Sequence, residues 1–345
     1  MSNDLYTAAL TRFNALPFPQ TRDQHWRFAN LKFWSEEIEK YVSLASEKDC
    51  SLEKLDDAQS IQFYNTLLGG GKFDALAAAS FCSRRLIRIP AGERVKINDS
   101  LDSLTNVFIL EENSELEILR TRNFEQGRFW IEANSFHLAK NAKLKINTHF
   151  LSDDNAPRYS RNDFHLAENA EVLDVFAENG KSHTRAERNV HLNGNGARAE
   201  IFALLDAQND VTHDFRTSQI HSSGGAHSNL KIKNILSDTS RSAFMGLIRV
   251  DEDSQKTEAY QSCRSLLLSP TTKASASPVL EIMANDVICS HGCAVARPDK
   301  DQLFYMESRG LASRTANRLL VAGFANEVLE KFTDEIFAER VRRSI

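Results

Sequence analysis

The chain has 345 residues, of which 41% are hydrophobic and 26% charged, and its 42 Lys+Arg against 47 Asp+Glu give a formal net charge of -5. This composition excludes a mostly disordered chain, and the charge balance argues against a protein that coats nucleic acid. No apolar run approaches the roughly 18 residues of a membrane-spanning helix, and the N-terminus lacks the apolar stretch of a secretory signal. With five scattered cysteines, which do not form a disulfide framework, we expect a soluble, cytoplasmic protein without nucleic-acid or membrane partners.

Residues 1–85 predict an N-terminal helical region. Apolar side chains recur at helical spacing over residues 5–13 and again over 31–44. A loop is predicted at 17–19, where two prolines flank Phe18, because proline removes a backbone donor and restricts its neighbour. The glycine triplet 69–71 breaks the helical pattern before a further apolar segment.

From Leu86 onward the pattern changes to short strands, with an internal repeat. Four similar units begin at Phe108, Phe136, Phe164 and Val190, which lie 28, 28 and 26 residues apart. Each unit predicts a strand, a polar turn with Asn at the same place, and a second strand. The turn asparagines are Asn113, Asn141, Asn169 and Asn195.

Such a unit cannot bury both of its faces alone, whereas stacked copies form a continuous core. The constant repeat length therefore predicts a mainly β fold, a parallel β-helix (β-solenoid) over residues 86–308. A β-sandwich of similar hairpins is the alternative.

The chain ends in a helical pattern. One broad apolar stripe extends from Ser313 to Arg343, with charges on the opposite face. We assign residues 309–345 to a C-terminal helical region. Such a stripe is usually core, and after a solenoid it can also serve as a cap or as a docking surface for a partner.

One segment has the residue types of a metal site. Cys289, His291 and Cys293 alternate, so on a strand all three point to the same face. Thiolate and imidazole suit iron and zinc, which makes this a partial metal site with one exchangeable position. The alternative is a structural strand with small residues packed inward, and without a fourth ligand no closed zinc site is predicted.

No catalytic constellation accompanies these residues. The sequence lacks the phosphate-binding, dinucleotide-binding and nucleophile-elbow motifs. His137, His165 and His191 occupy one repeat position, so we predict an architectural role for them. We expect a non-catalytic subunit or carrier rather than an enzyme.

The last hundred residues contain a series of short motifs in the order Ala259-Tyr260-Gln261, Leu266–Ser269, Ser277–Ile282, Asp286-Val287, Cys289–Gly292, Asp301–Tyr305, Ser308–Leu311 and Gly323-Phe324. This series resembles the SufB/SufD family of iron–sulfur cluster assembly proteins. Upstream, Trp26-Arg27-Phe28 resembles the family's N-terminal Trp-Arg-Tyr element. Between the two branches the chain is similar to SufD, since Met306 stands where SufB is expected to carry a cysteine.

This resemblance implies a right-handed parallel β-helix flanked by helical regions, in a complex with a SufB-like paralogue and a SufC-like ATPase. The ATPase would dock on the C-terminal helical region, for which we predict Arg309, Phe324 and Phe332 as partner-binding residues. Cys289 and His291 would lie near the junction with the paralogue and contribute to iron acquisition and nascent cluster assembly.

The implied cargo is a transient Fe ion or Fe–S cluster, and we expect no cofactor to be bound stably by the isolated chain. A cluster needs several thiolate ligands, of which this chain supplies a part and a neighbouring subunit the rest. A homodimer of the isolated chain is a further expectation. The alternative functions are a SufB-like scaffold that holds a cluster itself and a polysaccharide-active β-helix enzyme.

Overall fold

The computed structural model describes residues 5–20, 57–79, 85–99, 105–123, 129–152, 157–180 and 182–344. The helices within these ranges are α1 Leu5–Ala15, α2 Ala58–Gly69, α3 Lys72–Ala79, α4 Lys300–Ser308, α5 Ser313–Leu329 and α6 Glu335–Ser344. The helical segment predicted at 31–44 and the Trp26 motif lie outside the described residues.

Between these helices the chain forms strands of five to eleven residues. They are β1 Arg85–Ile89, β2 Arg94–Asp99, β3 Thr105–Leu110, β4 Glu115–Asn123, β5 Trp130–Leu138, β6 Lys143–Ser152, β7 Arg158–Leu166, β8 Glu171–Gly180, β9 Thr184–Leu192, β10 Arg198–Ala207, β11 Thr212–His221, β12 His227–Leu236, β13 Arg241–Val250, β14 Thr257–Leu267, β15 Lys273–Ile282 and β16 Val287–Ala296.

The strands of the described residues alternate between two eight-stranded sheets. The odd-numbered strands form one sheet in the order β1 to β15, and the even-numbered strands form the other. All of the described pairings are parallel. Two successive strands therefore make one turn of a solenoid. The predicted parallel β-helix with helical flanks is confirmed, and the β-sandwich alternative is wrong.

The predicted repeats occupy equivalent places in successive turns. Phe108 pairs with Phe136, Phe136 with Phe164, and Phe164 with Val190. The phenylalanine rings stack inside the solenoid, with centroids 4.6 Å and 5.0 Å apart. Stacked rings of this kind bury a continuous apolar column that one turn alone could not form.

The histidines at one repeat position also stack. The ring centroids of His137 and His165, and of His165 and His191, are 4.7 Å apart. Partial burial lowers the pKa of His137 to about 4 and that of His165 to about 3. The rings are therefore neutral at pH 7 and stack without mutual repulsion.

The turn asparagines adopt the left-handed backbone conformation. Asn113, Asn141 and Asn169 have φ of 59°, 58° and 54°, which Asn tolerates better than most residues. The Asn141 side-chain amide donates to the Asn113 side-chain oxygen at 2.9 Å. In the fourth unit the left-handed residue is Gly196, with φ of 70°, which follows the turn residue Asn195.

The helices cover the outer faces of the sheets. Residues of α1, α2 and α3 share a core with residues of β3, β5 and β7 on the odd-strand sheet. There Tyr159 donates to the Asp74 carboxylate at 2.7 Å. On the even-strand sheet, Val175, Phe202 and Leu204 pack against residues of α5 and α6.

The strand-to-helix transition precedes the predicted core boundary at residue 308. β16 ends at Ala296, and α4 begins at Lys300 after Asp299, whose carboxylate accepts from the Asp301 amide at 2.9 Å. Asp299 is thus an N-cap, which the sequence reading did not use as a helix start signal. The division of the chain into regions 1–85, 86–308 and 309–345 otherwise stays a prediction.

The C-terminal stripe is divided between two helices, α5 and α6. Between them the Thr333 amide donates to the Asn147 side-chain oxygen at 2.9 Å. This bond ties the connection to β6 and lets both helices face the sheet.

We expect Asn141→Ala to lower the free energy of unfolding by about 1–2 kcal/mol, because alanine is strained in a left-handed turn and cannot bond to Asn113. Asn141→Gly is the matched control, since glycine tolerates the positive φ and loses only the side-chain bond. Urea unfolding followed by circular dichroism measures both. Equal stability of the two variants would contradict a role for the left-handed conformation.

Candidate metal centre at the open end of the solenoid

β15 and β16 are the last strands of their sheets, and in the described part of the chain no further strand pairs with either. We call this the open end. The side chains of β16 are mostly exposed, whereas alternate side chains of β14 beneath it are buried. An uncovered edge of this kind presents unpaired backbone donors and acceptors.

The register with β14 orients the three predicted metal-site residues. Cys289 pairs with Ala259, His291 with Gln261, and Cys293 with Cys263. Since Ala259, Gln261 and Cys263 are buried, the β16 residues above them face the solenoid interior. Here this interior face is uncovered, so His291 and Cys293 are exposed and Cys289 is half-buried.

The three residues do not form one metal site. Four residues of extended strand span about 13 Å, so the two thiols of β16 lie too far apart to ligate one ion at about 2.3 Å from each sulfur. Among the described residues no group of three or more Cys, His, Asp or Glu side chains could hold a metal ion. The described chain thus places the three side chains on one face without gathering them around one point. That Cys289 and His291 bind metal with a partner stays a prediction.

The Cys289 thiol packs beside Ile248, Val250 and Ala259. Burial raises its pKa, although a hydrogen bond with the Ala259 backbone acts in the opposite direction. The thiol is therefore protonated at neutral pH, and a metal ion has to displace its proton to bind.

Cys263 is a residue whose place the sequence analysis missed. It lies in β14 directly beneath Cys293 and is only 2% exposed. The two cysteines are 30 residues apart in the sequence, close to the repeat length, and this spacing was the available signal. Cys50 and Cys82 lie outside the described residues.

The predicted partner-binding residues differ in exposure. Phe332 is 8% exposed and belongs to the core beneath α5 and α6, and Phe324 packs against the same core. Phe324 also lies under the Lys233 ammonium, 4.4 Å from its ring centroid. Both side chains therefore hold the helices on the sheet. Arg309 is exposed, with its guanidinium 5.1 Å from the Tyr305 ring centroid.

Other apolar side chains of this region face solvent. Phe304, Tyr305 and Leu319 are 72%, 59% and 50% exposed. The first two belong to α4, a helix with no buried residue. We call Phe304, Tyr305, Arg309 and Leu319 the helical surface. Exposed aromatic and apolar side chains are typical of interaction sites.

None of the helices that the structure describes is long and apolar enough to cross a membrane.

Sequence similarity to known proteins extends over both the solenoid and the helical surface. Residues 95–324 match the domain family described as SUF system FeS cluster assembly, SufBD core domain. The chain is 33% identical over 228 residues to the iron–sulfur cluster assembly protein SufD of Escherichia coli, which covers 64% of this chain and 51% of that protein.

Two further relatives are similar. The chain is 32% identical over 246 residues to the chloroplastic protein ABCI7 of Arabidopsis thaliana, covering 69% of this chain and 51% of the relative. It is 29% identical over 152 residues to SufD of Bacillus subtilis, covering 44% and 35% respectively. It thus spans about half the length of the first two relatives.

The family match extends from β2 into α5 and includes every residue of the open end and of the helical surface. Its extent is well over half of the chain. The chain therefore belongs to the SufBD family of the SUF system of iron–sulfur cluster assembly.

Proposed function

We propose that this chain is a non-catalytic, SufD-like subunit of an iron–sulfur cluster assembly complex. It pairs with a SufB-like paralogue at the open end and binds a SufC-like ATPase through the helical surface. The observation that carries the proposal is the open end itself, where Cys289 and His291 face inward from β16 on an uncovered turn. Two relatives named SufD support the assignment.

The open end suits a second solenoid. Parallel strands in neighbouring turns are spaced by about 4.8 Å, so another solenoid can continue the ladder at the unpaired edge. Apolar side chains are exposed there, namely Met283, Ile288 and Val295. Burying them against a partner is favourable, and a paralogue with the same turn spacing has the matching shape.

A paired subunit also accounts for the incomplete ligand set. An Fe–S cluster is held by several thiolates, and Cys289 with His291 provides two donors. Iron or the nascent cluster is the cargo, held between subunits during assembly. The homodimer and the SufB-like scaffold are other outcomes of the experiments below, whereas family membership favours an assembly subunit over a polysaccharide-active enzyme.

The helical surface suits the ATPase. The sequence has no phosphate-binding loop of its own, so nucleotide chemistry has to come from another chain. α4 is attached to α5 and buries no residue in the described chain, which leaves its aromatic side chains free for a partner. Motion of the ATPase would reach the solenoid through α5, which packs on the even-strand sheet.

The first prediction concerns pairing at the open end. The chain is co-expressed with SufB and SufC homologues from its own genome, and the mass and subunit ratio of the complex are measured. Ile288→Asp with Val295→Asp places charges in the apolar contact, so we expect SufB-type binding to weaken at least about tenfold, which is about 1.4 kcal/mol, while SufC-type binding is kept.

The matched control is Arg94→Asp in β2, at the opposite end of the same sheet, where Arg94 makes an exposed ion pair with Glu115. Exposed pairs contribute little to stability, so this variant should assemble normally. A ternary complex that forms equally well with both variants would contradict pairing at the open end. A homodimer of this chain that still forms with Ile288→Asp and Val295→Asp would also contradict pairing at the open end.

A second prediction concerns the helical surface. Phe304→Asp with Leu319→Asp should reduce SufC-type binding at least about tenfold, because removing an aromatic anchor at an interface commonly costs 2 kcal/mol or more. SufB-type pairing should not change. Ile61→Asp on α2 is the control, since Ile61 is also an exposed apolar side chain. Unchanged ATPase recovery in a pull-down would remove the helical surface from the proposal.

A third prediction concerns the ligands. His291→Ala should leave the ternary complex assembled, because the substitution removes no large apolar contact and the His291 side chain makes no hydrogen bond within the described chain. The activity of an Fe–S client enzyme and the iron content of the purified complex should fall severalfold. His227→Ala is the control, a histidine of β12 near Glu200 and Glu258. Normal iron content in the His291 variant would exclude that residue from the mechanism.

A further inference from the structure

Two thiols lie one above the other at the open end. Cys263 and Cys293 are register partners in β14 and β16, on the inward face of the even-strand sheet. Cys263 lies in the main core of the solenoid, whereas Cys293 is exposed because no further turn covers it. Neither forms a disulfide. The pair is thus buried on one side and open to solvent on the other.

The sulfur atoms are also electrostatic neighbours. Burial, and then the adjacent Cys293 thiol, raises the pKa of Cys263 to about 12. The Cys263 backbone forms a hydrogen bond with the Cys293 sulfur. A cation between the two sulfurs would remove the repulsion that two neighbouring thiolates experience.

The surroundings of Cys263 include hydrogen-bond donors aimed at its sulfur. The Asn234 side-chain amide donates to Sγ at 3.4 Å, and the Ser265 hydroxyl also bonds to this sulfur. Donors of this kind stabilise and orient metal-bound thiolates. The Asn234 amide also donates to the Ser265 hydroxyl at 3.0 Å, so the two side chains form one polar group beside the sulfur.

We propose that Cys263 and Cys293 form a two-thiolate site for a soft monovalent metal ion of the Cu⁺ class. Soft thiolate donors favour Cu⁺, and Cu⁺ accepts ligation by two thiolates. Zn²⁺ in a closed protein site takes four ligands, and the described residues contain no group of three or more donors. The number of donors therefore selects the monovalent ion.

The binding step balances in protons and charge. Two thiols lose their protons to solvent, one Cu⁺ binds both sulfurs, and the site acquires a net charge of -1. No oxidation or reduction takes place. The Asn234 amide and the exposed position of Cys293 moderate the cost of that charge, and the apparent affinity should rise with pH because protons are released.

This site shares no residue with the proposed ligand pair of Cys289 and His291, although His291 is the inward neighbour of Cys293. Cys289 lies about 13 Å from the pair along β16 and cannot complete it. The isolated chain of 345 residues is therefore sufficient for the test, which does not require SUF partners. Cu⁺ binding and co-purification with partners can succeed or fail independently.

The experiment titrates the reduced chain of 345 residues with Cu⁺ under anaerobic conditions against a chromophoric Cu⁺ chelator. We expect the Cys293→Ser variant to lose at least about a hundredfold in affinity at one equivalent of Cu⁺, because one of two thiolates is removed. Ser290→Ala, on the outward face of the same strand, is the matched control and should bind as the unmodified chain does. Cys50→Ser and Cys82→Ser should also retain this equivalent.

Cys263→Ala tests the buried partner, with circular dichroism to show that the fold is kept. Should that variant unfold, Cys293→Ser still decides the question, because Cys293 is exposed at the edge. Zn²⁺ titrated in the same way should bind far more weakly than Cu⁺. Equal Cu⁺ affinity of Cys293→Ser and the unmodified chain, or an equal loss in Cys50→Ser or Cys82→Ser, would overturn the proposal.

Discussion

Every turn of the solenoid has to bring its side chains back into line with those of the turn before it, because parallel strands that pair along their length stack equivalent positions about 4.8 Å apart. The stack of Phe108, Phe136 and Phe164 is the direct expression of this constraint. The turns keep this alignment because a residue that tolerates positive φ lies at nearly the same point of each unit. A shift of one residue would turn the buried set outward.

The same alignment governs the polar interior. Asn106 donates to Asn134 at 2.7 Å, and Asn134 donates to Asn162 at 2.8 Å, so each buried amide finds a partner in the next turn. Buried charges are also paired, as in the 2.9 Å contact between Arg188 and Asp174. Such groups are tolerated because a neighbouring element supplies the partner that water would otherwise provide.

Each turn of the described solenoid pairs its strands with those of the next turn, so the last turn has an edge with no pairing strand. The inward residues of β16 lie against β14 on one side and have no described strand on the other. Cys289, His291 and Cys293 are among these residues. The helices have a different part in the molecule. All the described helices except α4 cover outer sheet faces, whereas α4 buries no residue and exposes its aromatic side chains. The open end and the helical surface are thus different kinds of candidate interaction site.

The sequence by itself predicted the solenoid, the shared face of the three β16 residues and the family. The repeat beginning at Phe108 predicted stacked parallel turns, since a unit of constant length with strand-forming residues buries its faces only against copies of itself. The alternation of Cys289, His291 and Cys293 placed them on one face. The C-terminal motifs indicated the family that the comparisons then established.

What the sequence could not determine were contacts between residues of different turns and different elements. Cys263 became the neighbour of Cys293 only through the register of β14 with β16. Phe332 was a reasonable docking residue as a member of an apolar stripe, but the packing of α5 and α6 buried it and left Phe304 exposed. Periodicity gives the face of an element on which a residue lies, whereas the partner of that face depends on how distant segments pack.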